Sequence, residues 1–118
     1  MKDDFEIERA EILRRISEVI ERHTEALLLY ASTEEAAHQW MAAGFEDAEE
    51  VDEWLAARCF SAEGALSLEM AGITPDQAAT RTRAGTASYE ETIGYKIIKG
   101  DLSIEEARRI ITSAFWNS

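Results

Sequence analysis

Cys59, His23 and His38 are the nucleophile- and ligand-type side chains of this sequence, and their spacing supports little chemistry. A catalytic cysteine must reach its thiolate, but Cys59 follows a helical segment, where backbone carbonyl dipoles disfavour that anion. The expected role is that of a small, partly buried residue in a turn, standing where other segments carry glycine. Glu34 and His38 lie four apart and can share a helix face, which makes half a metal site. No other histidine or cysteine stands at ligand spacing to complete it, and His23 belongs to a different segment. Carboxylates are so numerous that no pair stands out, and general acid–base work needs a pocket that shifts a pKa. Neither a glycine-rich phosphate loop after a strand nor a nucleophile elbow occurs. The expectation is a chain that is not an enzyme and uses no cofactor and no metal.

Charge is more informative. The 118 residues carry a net charge of −12. All of it resides in residues 1–70, which hold 18 acids and 6 bases; residues 71–118 hold 6 of each. The densest run is Glu46 to Glu53. On a helix Glu46, Glu49, Glu50 and Glu53 would line one face, opposite Val51, Trp54 and Leu55. Such a surface repels nucleic acid and anionic membranes and suits a basic protein surface. The plainer account is that acids in a first helical turn favour the helix dipole and that charge aids solubility.

The elements that position these residues follow from a repeat of about 14 residues between Thr33 and Phe115. Units open at Thr33, Asp47, Ser61, Thr74, Ser88 and Ser103, each with a side chain suited to capping a helix. Four units complete a capping box: Asp47 with Glu50, Thr74 with Gln77, Ser88 with Glu91, Ser103 with Glu106. Pro75 suits the first helical position, and Gly44, Gly72, Gly85 and Gly100 suit left-handed helix stops. Ala37, Val51, Ala65, Ala78, Thr92 and Ala107 stand at the fourth residue after each opening. Trp40, Trp54, Leu68, Tyr95 and Ile110 stand at the seventh, with Arg81 the exception. Phe45, Phe60, Ile73, Leu102 and Phe115 follow the stops and should fold back onto the preceding helix. Each unit therefore predicts a helix of roughly 10 residues, about 15 Å long, too short to stand alone. Six such helices must share one core, and no segment reads as a strand.

Residues 4–31 contain no glycine or proline, and Phe5, Ile12, Ile16, Val19, Ala26 and Tyr30 mark a helical stripe, widened by Leu13, Ile20 and Leu27. A single amphipathic helix of up to about 27 residues, near 40 Å, is expected, capped by Asp3 or Asp4. Two uses follow: a spine for the short helices, or a projection that pairs with a second copy as a homodimer. Arg9 and His23 fall on the same stripe and would weaken a coiled-coil seam. The fold class expected is all-α, a single domain over residues 1–118 with a long first helix and an array of short ones over residues 33–115.

The runs Trp40-Met-Ala-Ala-Gly-Phe45 and Ala71-Gly-Ile-Thr-Pro-Asp-Gln-Ala78 resemble short-helix repeats of many bacterial proteins, and residues 100–115 resemble helical-hairpin modules of antitoxins and regulatory proteins. The resemblance implies caps and packing; it carries over no active-site residue. The fourth unit breaks the pattern, because Arg81, followed by Arg83, takes the place of an apolar side chain. Either Arg81 lays its stem on the core and pairs with an acid of the Glu46–Glu53 helix, or the segment from Arg81 to Tyr95 is a contact surface. The function expected is a small acidic protein–protein interaction or adaptor module. Its candidate partner-binding residues are Glu46, Glu49, Glu50, Glu53, Arg81 and Arg83. The alternative is an acidic mimic of nucleic acid that inhibits a basic nucleic-acid-binding protein. With one cysteine, no signal-peptide pattern and no long apolar run, a cytoplasmic setting is expected.

Overall fold

The computed structural model describes residues 4–23, 25, 27, 30–85 and 91–116. Seven helices account for most of them: α1 (Asp4–Glu21), α2 (Thr33–Ala42), α3 (Ala48–Ala56), α4 (Ala62–Met70), α5 (Pro75–Ala78), α6 (Ile93–Lys99) and α7 (Ile104–Trp116). The fold is all-α. Among the described residues, the one departure from the expectation of no strand is a two-residue antiparallel ladder, β1 (Arg81–Thr82) with β2 (Glu91–Thr92), in the register Arg81 to Thr92 and Thr82 to Glu91.

Local side-chain bonds set most helix boundaries. Asp47, Ser61 and Thr74 cap α3, α4 and α5 from their side-chain oxygens. Full capping boxes form at Thr74 with Gln77 and at Ser103 with Glu106. The first unit opens one residue early: Ser32, not Thr33, accepts the Glu35 N–H, and Glu35 Oε2 accepts the Ala31 N–H at 2.8 Å. Ser88 lies outside the described residues. The helix expected from it begins later, at Ile93, capped by Thr92.

Burial follows the predicted pattern at most positions, although Tyr95 and Ile110 are only half-buried. Ala37, Val51, Ala65, Ala78, Thr92 and Ala107 are all buried, as are Trp40, Trp54 and Leu68. Phe45, Phe60, Ile73 and Leu102 fold under the helices that precede them. At the first stop Gly44 takes φ 102°, the Phe45 N–H returns to the Trp40 carbonyl, and the two rings meet edge-on at 5.0 Å. Fourteen residues after Gly44 the left-handed residue is Arg58 (φ 63°) rather than Cys59, correcting the expected slot by one position. Cys59 is fully buried.

Packing arranges the helices in two rows. Helices α1, α3 and α5 contact one another in sequence, as do α2, α4 and α6, while α2 also lies on α1, α5 on α6 and α6 on α7. The fourth unit fails as a full helix because its seventh residue has nothing to bury. α5 stops after four residues, and Arg81 emerges exposed in β1. The ladder continues into α6, where the Ile93 N–H reaches the Thr80 carbonyl at 2.9 Å. Lys96, on α6, is buried and donates from Nζ to the carbonyls of Thr82 and Ala84. Two carbonyls of one backbone segment thus converge on one ammonium.

α1 corrects the other large expectation. It ends at Glu21, not near residue 31, and has 18 residues. Propensity would let it continue, but tertiary contacts bend the chain. His23 Nε2 sits 2.6 Å from Asp52 Oδ1 on α3, and Tyr30 Oη accepts the Ala62 N–H at the start of α4. Ala26 lies outside the described residues. Only the second half of α1 is clamped: Ile16, Val19 and Ile20 are buried, whereas every residue from Asp4 to Ala10 is exposed.

Candidate functional site

The acidic run becomes one wall of a groove. α3 and the residues before it supply Glu46, Asp47, Glu49, Asp52 and Glu53; α1 supplies Asp4, Glu8, Glu11 and Glu18. These nine carboxylates face two guanidiniums, Arg15 and Arg22, around an open volume of about 1170 Å³. Ile7, Ile12, Val19 and Ala48 add apolar surface between them. The groove exists because α1 packs on α3 only from its middle onward, so the free half of α1 overhangs the start of α3.

Part of the negative charge is neutralised within α1. Arg14 pairs with Glu11 and Glu18, and Arg15 pairs with Glu11. The two arginines hold the Glu11 carboxyl below the usual carboxylate range, with Arg14 the larger contributor. On the facing wall Glu46, Glu49 and Glu53 are exposed and make no ion pair with the described residues. That wall is the uncompensated one.

Glu50 departs from the expected stripe. It is half-buried, and its carboxyl turns toward Glu69 on α4 rather than lining the groove. Desolvation, and after it the hydrogen bond and like charge of Glu69, raise its pKa. The Trp54 indole N–H pulls weakly the other way, though it lies buried and short of a hydrogen bond. Asp47 therefore caps α3 without a reciprocal Glu50 bond, using the Glu49 N–H at 2.9 Å.

Arg81 and Arg83 lie elsewhere. Both are exposed, in and just after β1, and neither lines the groove. The expected pairing of Arg81 with an acid of the Glu46–Glu53 run is not among the ion pairs of the described residues. Its stem is not laid on the core because β1 carries the side chain outward. The structure thus brings together Glu46, Glu49 and Glu53, turns Glu50 aside, and separates the two arginines from all four.

Two groups that sequence reasoning did not single out matter here. Arg58 pairs with Glu25, and its guanidinium lies 6.0 Å from the rings of both Phe60 and Tyr95. With Arg22, His23 and Leu55 it borders a smaller pocket of about 240 Å³. The 14-residue register running through Gly44 and Gly72 was the available signal for Arg58. Lys96 carried no signal, since a lysine in an amphipathic segment reads as solvent-facing.

The other residues with chemical side chains remain isolated. Burial pushes the Cys59 thiol up to about 12, far from nucleophilic use. His38 and Glu34 stand 3.8 Å apart on the exposed face of α2. Among the described residues no group of three His, Cys, Asp or Glu side chains could hold a metal ion, and no helix is long and apolar enough to cross a membrane. No protein-family model, no curated protein and no solved structure matches the chain.

Proposed function

We propose that this chain is a non-enzymatic interaction module that binds a protein with a basic surface through the α1–α3 groove. The observation that carries the reading is the wall of Glu46, Glu49 and Glu53, exposed and without cationic partners among the described residues, facing a second acidic wall on α1. Carboxylates held this close repel one another, and a cationic partner relieves that repulsion while it gains its own. A solubilising surface needs no groove. The lone cysteine of the sequence, which permits no internal disulfide, fits a cytoplasmic setting.

The test is capture from lysate of the native host by the tagged chain and by a Glu46→Lys/Glu49→Lys/Glu53→Lys variant, with circular dichroism confirming that both are folded. The expected result is a basic protein held by the wild type and lost by the variant, with affinity falling as salt rises. Recovery of the bait alone, or of the same partner equally by both chains, overturns the reading. Adding duplex DNA to the captured complex distinguishes the more specific form. Displacement by DNA would mean that the carboxylates occupy a nucleic-acid-binding surface, so that the module acts as an inhibitor by mimicry.

A further inference from the structure

We infer that the segment received by the α1–α3 groove is a cationic amphipathic helix of the partner, its apolar edge on Ile7 and Ile12 and its lysines or arginines against Glu49 and Glu53. This rests on the binding reading above and adds the form of the occupant.

Three observations narrow that form. Charge alone does not explain the apolar surface: Phe5 is 65% and Ile7 56% exposed on the free half of α1, and Ile7 and Ile12 continue into the groove. A purely polybasic segment would leave Ile7 and the open side of half-buried Ile12 in water, whereas an occupant with an apolar edge covers them. Both walls are built largely on helices, whose backbone groups bond within themselves. An extended peptide therefore finds no strand edge to pair with there, and the mode that remains is a helix laid in a groove. The third observation is charge complementarity. A second copy of this chain brings another net −12, and its α1 carries six acids against three bases, so pairing two copies here adds carboxylates to carboxylates. A cationic helix supplies the opposite sign along the whole wall. The 18 residues of α1 span about 27 Å, which sets the occupant at roughly five turns.

Two synthetic peptides of identical lysine and leucine composition, each of about five helical turns, test the proposal by calorimetry. One places leucine at i, i+3, i+4 and i+7; the other alternates it. The helical peptide is expected to bind at least about tenfold more tightly. Ile7→Ser/Ile12→Ser should weaken it about tenfold, and Glu49→Lys/Glu53→Lys should weaken it and flatten the salt dependence. Glu34→Lys/Glu63→Lys, an equal charge change away from the groove, should leave the preference between the peptides intact. Equal affinity for the two peptides, or insensitivity to Ile7→Ser/Ile12→Ser in a variant that keeps its helicity, overturns the helix proposal while the capture experiment separately decides whether the groove binds a basic partner. A dimer in light scattering that the same isoleucine substitutions dissociate would also overturn it, in favour of a second copy.

Discussion

His23 Nε2 and Asp52 Oδ1 lie 2.6 Å apart, and this contact ties the residue just past α1 to the middle of α3. Asp52 also lines the acidic groove, so the contact joins the end of α1 to one of the groove's walls. Exposure on both sides limits its strength. A double-mutant cycle with His23→Ala and Asp52→Ala should return a coupling of about 1 kcal/mol by urea denaturation. Additive effects of the two substitutions would mean that the pair does not hold the helices together.

Arg58 stands in the left-handed region at φ 63°, where a side chain costs about 1 kcal/mol or more relative to glycine. Its contacts with Glu25, Phe60 and Tyr95 offset that cost. Arg58→Ala removes the contacts and keeps the strain; Arg58→Gly removes both. The alanine variant should therefore be the less stable of the two by about 1 kcal/mol in chemical denaturation. Equal stability would contradict the assignment of Arg58 to the glycine position of the register.

Glu50 predicts a pH dependence of definite sign. Its folded pKa lies above the ordinary 4.5, so the native state holds this proton more tightly than the unfolded chain does. The stability it allows is complete below that ordinary value and falls as pH rises through the folded pKa. Above that folded pKa the ionised carboxylate is both desolvated and repelled by Glu69. Glu50→Gln should raise the melting temperature at about pH 7 by roughly 1–3 °C, with the gain vanishing under acid conditions. A loss of stability at neutral pH would place a stabilising role on the charged carboxylate.

Cys59 makes the same argument at alkaline pH. Burial raises its thiol from 9.0 to about 12, so the unfolded chain ionises first and stability falls as pH rises above the unfolded value. Between about pH 8 and pH 10.5 the wild type should lose about 2 kcal/mol more than Cys59→Ala in urea unfolding. In the native state near neutral pH the thiol should react with a disulfide reagent only as fast as the chain opens. Rapid labelling of the folded protein would show that the turn after α3 is looser than its burial indicates.

The sequence by itself determined the helix class, most caps and stops, and the core positions of residues 33–78, because those are local. A Thr74 hydroxyl reaches a backbone N–H three residues on, and a glycine at 44 or 72 sets its own dihedral angles. Burial of Trp40, Trp54 and Leu68 followed from spacing along short helices with one face to hide. Arg81 stands out as the exception to the pattern, yet the repeat still predicts a full helix for the fourth unit; that helix stops after four residues and gives way to a small ladder. What only the tertiary structure decided depends on residues far apart in the chain. Contacts with Asp52 and Ala62 turn the chain after Glu21 against its own helical preference. Glu69 draws Glu50 out of the acidic stripe, and two distant carbonyls bury Lys96. The groove is of this second kind. Its acids were legible as a run, but a facing wall exists only because α1 overhangs α3, and periodicity along one chain segment carries no information about which helix lies across from it.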